Sequence, residues 1–309
     1  MKILITGGAG YIGSELVGYL LAEGHEVTVV DSLLYGGDSL LRYIGDSKFR
    51  FEKMDVRDTT KLQAHLAWSD AILPLACLVG FPLCDKKPLE AVQVNFEVNK
   101  WIAENKTADQ LLIYPCTNSG YGTSKDGGVC TEESPLNPVS LYGKTKVDAE
   151  NIFKQTENCV TLRLATVFGP SSRMRTDLLV NNFVLKAMKE RVLVLYECEF
   201  MRNYVHIQDI CRVFGFILDN WRWCKNQTYN VGNDSINMNK LQLAQKIQEY
   251  IPLEIIKAEF NSDPDVRDYV VSSQKIYRKG FECKHDLDSG IQEIIKAYKL
   301  IDEPWYANY

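Results

Sequence analysis

The stretch that decides the fold reads Lys2-Ile3-Leu4-Ile5-Thr6, followed at once by Gly7-Gly8-Ala9-Gly10-Tyr11-Ile12-Gly13. The apolar run ends in glycines, which predicts a buried strand. From Ser14 onward the apolar residues recur at helical spacing. Glycines let the backbone between strand and helix approach a phosphate closely, and the helix N-terminus offers free N–H groups to that anion. The stretch therefore predicts a strand–turn–helix unit that binds a dinucleotide.

A carboxylate stands where such a unit needs one. The second apolar run, residues 27–30, ends at Asp31, about twenty residues after the glycines. This carboxylate would accept hydrogen bonds from both hydroxyls of the adenosine ribose and would repel a 2′-phosphate. The predicted cofactor is therefore NAD rather than NADP. The alternative is that Asp31 only caps a strand-to-helix loop.

Composition narrows the class of protein. The chain has 309 residues, of which 46% are hydrophobic and 24% charged, which is ordinary for a globular protein with an ample core. Its net charge of −5 argues against a nucleic-acid or anionic-membrane partner. No segment has the layout of a signal peptide or the length of a membrane span. Nine cysteines without a C-x-x-C pair favour reduced thiols, so we expect a cytoplasmic protein without a metal site.

Strands and helices alternate along the first half of the chain. Further strands are predicted at 49–54, 70–77, 111–114 and 160–164, with helices at 91–103 and 140–154. This alternation predicts an α/β fold with a doubly wound parallel sheet, that is, a Rossmann fold. Beyond the sixth strand the alternation weakens. We therefore expect residues 1–170 to form the dinucleotide-binding domain, with returns from about 203–232, and residues 171–309 to form mainly a smaller substrate-binding lobe.

Tyr142 and Lys146 are four residues apart on a predicted helix and so share one of its faces. A free tyrosine is a poor base at neutral pH, but a neighbouring ammonium favours the phenolate and lowers the tyrosine pKa. The pair can then take a proton from an alcohol. A solvated helix face is the alternative, but the position between the fifth and sixth strands favours the catalytic interpretation.

The glycine spacing together with this Y-x-x-x-K motif resembles the extended branch of the short-chain dehydrogenase/reductase superfamily, whose members modify nucleotide sugars. The resemblance implies that Thr117, at the end of the fifth strand, steadies the reacting oxygen while Tyr142 takes its proton and Lys146 holds the nicotinamide ribose; a strand-end cap is the alternative for Thr117. The cofactor-binding residues that it implies are Gly7, Gly10, Tyr11, Ile12, Gly13, Asp31, Asp55, Val56, Leu75, Ala76, Asn95, Tyr142 and Lys146.

The resemblance also implies a substrate and an assembly. Arg202 matches the family's diphosphate-binding arginine, and a guanidinium suits a pyrophosphate because it forms parallel hydrogen bonds. Asn182, Arg175 and Arg267 are further candidates for substrate binding, with a surface charge as the alternative for each arginine. Family members pair through the helices predicted here at 91–103 and 140–154, so we expect a homodimer or a tetramer.

Differences between this chain and known branches of the family reduce the number of reactions that it could catalyse. The 4,6-dehydratases carry an acidic pair after the catalytic Thr, where this chain has Asn118 and Ser119. Epimerase/reductases of fucose synthesis carry Cys at the position of Ser119. The remaining reactions are oxidation of C4 to a ketone and 4-epimerisation with retained NAD; a non-catalytic NAD-binding regulator is a third alternative. The runs 173–181 and 263–269 look like those of bacterial capsule and lipopolysaccharide enzymes that oxidise C4 of a GDP-linked manno-heptose, which favours the dehydrogenase.

Overall fold

The computed structural model describes residues 1–122, 128–258, 268–301 and 307–308. Its central sheet consists of parallel strands, which are β1 Lys2–Thr6, β2 Glu26–Asp31, β3 Phe49–Lys53, β4 Ala71–Pro74, β5 Leu111–Thr117, β6 Cys159–Leu164 and β7 Gln227–Val231. Their order across the sheet is β3-β2-β1-β4-β5-β6-β7. The order reverses between β1 and β4, which opens a crevice at the carboxyl ends of the strands. The predicted doubly wound fold is confirmed.

Helices cover the sheet and build the second lobe. The α-helices are α1 Tyr11–Ala22, α2 Thr59–Trp68, α3 Phe81–Lys86, α4 Pro88–Val92, α5 Val98–Asn105, α6 Leu141–Lys154, α7 Leu179–Glu190, α8 Ile207–Asp219, α9 Trp221–Cys224, α10 Lys240–Gln248, α11 Gln274–Tyr277 and α12 Leu287–Leu300. Short 3₁₀-helical segments span Asp38–Tyr43, Asn118–Tyr121 and Asp234–Ile236. No helix in these described parts is long and apolar enough to cross a bilayer.

Three predicted elements differ from the structure by more than one residue. The fifth strand, predicted over 111–114, continues to Thr117. The fourth strand, predicted over 70–77, ends at Pro74, because the chain leaves the ladder there and turns along the crevice. The helix predicted over 91–103 is interrupted by a π-helical turn, Gln93–Glu97, between α4 and α5. Such turns insert an extra residue into a helix and often occur at functional sites.

The sheet separates two hydrophobic cores. On one face, Leu16 of α1 and Phe214 of α8 are fully buried against the strands. On the other face, Leu62 of α2, Ile102 of α5 and Phe153 of α6 are buried in the same way. Burying one such side chain contributes roughly 1.5–3 kcal/mol. These cores fix α1 and α6, the two helices that carry the glycine turn and the Tyr142–Lys146 pair.

A third core lies in the C-terminal half. It packs α7, α10 and α12 together through buried side chains such as Val184, Leu243 and Ile291. Short parallel strand pairs join this region internally and to the sheet: Thr166–Phe168 with Tyr204–His206, Val192–Leu195 with Glu254–Lys257, and Val129–Cys130 with Val270–Val271. Met201–Arg202 pairs antiparallel with Met238–Asn239. A separate core agrees with a second lobe, whose boundary at residue 170 stays a prediction.

Candidate active site

A cleft of about 810 Å³ runs along the carboxyl edge of the sheet. Most of the predicted site residues line it, although they are scattered along two hundred residues of chain. The lining residues that the sequence predicted are Gly7, Gly10, Tyr11, Ile12, Gly13, Asp31, Asp55, Val56, Leu75, Ala76, Thr117, Tyr142, Lys146, Arg175, Asn182 and Arg202.

The glycines of the turn let its backbone pack closely against neighbouring backbone. Gly7 has a φ of +74°, and a Cβ there would lie 2.6 Å from the backbone nitrogen of Ala76. A Cβ on Gly13 would lie 2.6 Å from the carbonyl oxygen of Gly7. Helix α1 begins at Tyr11 without a side-chain cap, so its first N–H groups and the positive end of its dipole remain available to an anion. This cradle fits the diphosphate of a dinucleotide.

Asp31 is both a loop residue and a lining residue. Its Oδ2 accepts a hydrogen bond from the N–H of Ala9 at 3.0 Å, and its Oδ1 accepts one from the N–H of Leu33 at 2.8 Å. Burial raises the pKa of the Asp31 carboxyl, and these hydrogen bonds together with the charge of Arg173 oppose that rise. The alternatives for Asp31 are thus compatible, since its carboxylate organises the loop and also faces the cleft.

The strands that flank the crevice add further lining. Asp55 forms an ion pair with Arg57 at 2.6 Å, and this hydrogen-bonded guanidinium lowers the pKa of the Asp55 carboxyl. Val56 follows as a buried side chain. On the β4 side, the N–H of Ala76 donates to the hydroxyl of Thr6 at 3.2 Å, which ties the chain after Pro74 to β1.

Asn95 is placed differently from the prediction. It is fully buried in the π-helical turn and lies outside the lining of the cleft. Its Oδ1 accepts from the N–H of Leu78 at 2.8 Å, and its Nδ2 donates to the Leu78 carbonyl at 3.0 Å. This placement does not support the predicted direct contact of Asn95 with the cofactor. Both ends of its amide instead hold Leu78, which itself lines the cleft.

The three predicted catalytic residues, Thr117, Tyr142 and Lys146, all line the cleft. Ser140 caps α6 by accepting a hydrogen bond from the N–H of Gly143 at 3.1 Å, and Tyr142 and Lys146 follow on the same helix. Thr117 ends β5, which lies next to β6 in the sheet. Its Oγ1 donates to the Ser119 hydroxyl at 3.1 Å and accepts from the Ser119 N–H at 3.1 Å. The Thr117 hydroxyl is therefore oriented by its own chain.

The electrostatics of Tyr142 contradict one expectation. Burial raises the pKa of Tyr142, the thiols of Cys77 and Cys116 add to the rise, and Arg175 is the cation that opposes it. The ammonium of Lys146 lies 4.0 Å from the ring centroid of Tyr114. The predicted lowering of the tyrosine pKa is thus wrong for this structure, because desolvation outweighs the neighbouring positive charge.

The candidates for substrate binding lie on the side of the second lobe. Arg202 is buried, donates to the Met201 carbonyl at 2.9 Å and lies 5.9 Å from the Tyr269 ring. Asn182 donates to the carbonyl of Thr176 at 3.0 Å. Arg175 forms a buried two-pronged ion pair with Asp177, at 3.1 and 2.5 Å. Arg267 lies outside the described residues.

Several lining residues were not predicted. Lys240, the first residue of α10, reaches the cleft while its Nζ donates to the Tyr196 carbonyl at 3.2 Å. Lys186 of α7 also lines the cleft. Both are ordinary helix lysines in sequence, and only the packing of the lobe brings them there. Arg173 carries a usable signal, since it stands in a basic loop directly after the sixth strand.

Fold and cleft together define a dinucleotide-binding α/β enzyme of the Rossmann class. The particular family follows from comparison: the chain belongs to the NAD-dependent epimerase/dehydratase family, whose model matches residues 3–232. It is thus an enzyme of the nucleotide-sugar epimerase/dehydratase type, and its cofactor is NAD. The glycine cradle and Asp31 fit this cofactor.

Relatives of several activities resemble the chain. The low-salt glycan biosynthesis protein Agl12 of Haloferax volcanii is 27% identical over 98% of this chain and 100% of its own length. A UDP-glucose 4-epimerase of Lactobacillus helveticus is 28% identical over 80% of this chain and 82% of its own. Among solved structures, a UDP-glucose 4-epimerase of Thermotoga maritima superposes with a TM-score of 0.85 at 22% identity, covering 98% of this chain and 100% of its own. At that identity the likeness shows the fold alone.

Proposed function

We propose that this protein oxidises the C4 hydroxyl of a nucleotide-diphosphate sugar to a 4-keto sugar, in the cytoplasmic synthesis of a bacterial surface polysaccharide. The observation that carries the proposal is the segment directly after Thr117. Asn118 and Ser119 form its first 3₁₀ turn, and neither can act as a carboxyl acid or base. Simple redox at C4 therefore fits the site better than elimination of water.

Three of the four described carboxylates that line the cleft, all except Asp31, support this view. Asp177 forms an ion pair with Arg175 at 2.5 Å, and Glu90 forms one with Lys87 at 3.2 Å. Asp55 is paired with Arg57. Elimination at C6 needs a carboxyl group that can exchange a proton with the sugar. These three lining carboxylates already have partners.

The chain's own residues can accept the proton that leaves the C4 hydroxyl of the sugar. The C4 hydroxyl gives its proton to the Oη of the Tyr142 phenolate as the C4–O bond becomes a carbonyl. Thr117 donates a hydrogen bond to that oxygen once its hydroxyl turns away from Ser119, and Arg175 supplies the positive charge that opposes the burial-raised pKa of Tyr142. Lys146, on the same helix, would hold the nicotinamide ribose. NAD, when bound, supplies the acceptor for the hydride that leaves C4.

The proposed substrate is a GDP-linked heptose or hexose, with its diphosphate held by Arg202 and Asn182. Support for the base and the sugar comes from the resemblance of the 173–181 run to heptose-oxidising enzymes. The glycan biosynthesis relative fits a role in polysaccharide synthesis. Arg202 supports a diphosphate because its guanidinium is buried and faces the cleft.

A 4-epimerase is the second candidate, because a relative 28% identical over 80% of the chain is a UDP-glucose 4-epimerase. An epimerase returns the hydride to the opposite face of C4 and consumes no cofactor. A dehydrogenase releases the ketone and must dispose of its reducing equivalent.

The test is incubation with GDP-, UDP- and dTDP-linked hexoses and heptoses in deuterated water, with and without added keto acids as hydride acceptors. NMR should show a 4-keto product whose yield rises with the acceptor. Clean inversion at C4 without dependence on an acceptor would leave the epimerase. Unchanged turnover in Tyr142→Phe would favour a non-catalytic, NAD-binding regulator whose apparent turnover came from a contaminant.

A further inference from the structure

The loop 171–177 is fixed to the helix that begins at the glycine turn. The Ser171 hydroxyl donates to the carbonyl of Tyr11 at 2.8 Å. Ser172 donates both its N–H and its hydroxyl to Glu15 Oε1, each at 2.8 Å. These bonds cross about 160 residues of sequence and join the loop to the first turn of α1. The loop is therefore held against the start of α1, directly after the glycine turn.

The attachment of Ser171 and Ser172 to α1 fixes the position of the next residue, Arg173. Its N–H donates to the Ser171 hydroxyl at 3.2 Å, and only 4% of the residue is exposed. Its guanidinium lies 4.5 Å from the ring centroid of Tyr35, four residues after Asp31 in the chain. Its charge also acts on the Asp31 carboxylate. Arg173 thus lies at the end of the cleft where Asp31 would hold the adenosine ribose.

A third segment closes this end of the cleft. The Tyr35 hydroxyl donates to the carbonyl of Asn308 at 3.2 Å, and Asn308 is itself 93% buried and lines the cleft. In the stacked pair, Arg173 is therefore held by Ser171 and Tyr35 is held by Asn308. A guanidinium held in this way loses little rotamer freedom when it binds an anion.

We propose that Arg173 binds the diphosphate of NAD from the side opposite the glycine turn and so slows the release of the cofactor. The glycine turn supplies backbone N–H groups and a helix dipole, but its side chains carry no positive charge to meet an anion with two negative charges. The Arg173 guanidinium also donates through Nη1 to the carbonyl of Met174 at 3.2 Å, which helps to fix its position beside Tyr35. The inference concerns cofactor retention and holds whichever sugar reaction the protein catalyses.

Two other ligands for Arg173 fit the structure less well. A 2′-phosphate on the adenosine ribose would meet the Asp31 carboxylate, which repels it. The diphosphate of the sugar nucleotide has Arg202, which lies beside Tyr269 on the side of the second lobe. Arg173 is instead beside Tyr35 and Asp31, so the cofactor is the anion that lies within its reach.

The experiment measures NADH release without any turnover. Protein loaded with NADH is mixed with excess NAD⁺, and the loss of energy transfer from protein tryptophans to NADH gives the release rate. Arg173→Met keeps the apolar stem and removes the charge. It should release NADH roughly ten times faster or more, as expected for the loss of a charge-assisted hydrogen bond. Arg222→Met, at an exposed arginine stacked on Trp223, is the matched control and should leave the rate unchanged.

Two further measurements separate binding from folding. Ser172→Ala removes one bond of the attachment but no charge, so it should speed release less than Arg173→Met does. Displacement of NADH by ADP-ribose should weaken in Arg173→Met, while displacement by adenosine should not. The proposal is overturned if Arg173→Met releases NADH within twofold of the control, or if it weakens adenosine and ADP-ribose equally. Weakened binding of GDP alone would assign Arg173 to the substrate.

Discussion

At the scale of single residues, the ionisation of Tyr142 sets the pH dependence of the proposed reaction. Burial raises its pKa while Arg175 opposes the rise, so the phenolate becomes more abundant as pH increases. We expect kcat/KM to rise with pH on the alkaline side. Arg175→Met should move that rise to higher pH because the opposing charge is lost, whereas Arg175→Lys should restore most of it. A pH–rate profile that is identical in all three proteins would contradict this role of Arg175.

A second residue-scale prediction concerns Asp31. Burial raises its pKa in the folded protein, so the stability linked to its protonation is present at low pH and is lost as pH rises through the folded pKa. At pH 7 the charge therefore adds little stability. Asp31→Asn should weaken NADH binding by tenfold or more while shifting the melting temperature by only a few degrees. Asp38→Asn, at an exposed site in the next turn, is the control. A collapse of stability with unchanged NADH affinity would show that Asp31 is only a loop cap.

At the scale of elements, a buried ion pair fixes the catalytic helix. The carboxylate of Glu150 in α6 accepts hydrogen bonds from the guanidinium of Arg163 in β6 at 2.7 and 3.1 Å, and both side chains are at most 1% exposed. Arg163 also donates to the Tyr121 hydroxyl at 2.8 Å, which reaches the turn after Thr117. Arg163→Met leaves a buried carboxylate with Lys154 as its remaining cation. This substitution should lower the free energy of unfolding by about 3–5 kcal/mol.

The matched control for that prediction is the double variant Glu150→Leu with Arg163→Met. It removes both charges, so it should destabilise the protein less than the single change. Urea unfolding monitored by far-UV circular dichroism gives both free energies. Equal losses in the two variants would mean that the cost comes from packing and not from the unpaired charge.

Elements governed by local pattern were predictable, and those governed by distant contacts were not. β1 has the predicted bounds, and the helix that carries Tyr142 differs by one residue, because apolar spacing and a Ser140 cap are local signals. Asn95, inside the π-helical turn, is bonded through its amide to Leu78, seventeen residues earlier, and no local pattern signals this contact. Lys240 reaches the cleft only through the third core. The sequence thus predicted many of the residues that line the cleft at the carboxyl edge of the sheet, but not every residue that completes it.

At the scale of the whole molecule, the proposed assembly gives the remaining prediction. The outer stripe of α6 includes the exposed residues Lys144, Asp148, Asn151 and Lys154, on the helix through which the resemblance predicts pairing. Light scattering at micromolar concentration should give about twice the chain mass of 35.2 kDa, or four times for a tetramer. In a two-fold assembly each stripe meets its own copy, so one substitution acts twice.

Asn151→Arg should therefore weaken the dimer, because it adds two bulky charges to one interface. Gln245→Arg adds the same charge to the exposed face of α10 in the second lobe and should leave the mass unchanged. A monomeric mass for the unaltered protein would refute pairing, and equal effects of the two substitutions would place the interface elsewhere. Because α6 also carries Tyr142 and Lys146, a monomer produced by Asn151→Arg that keeps full NADH affinity would show that the catalytic helix does not depend on its partner.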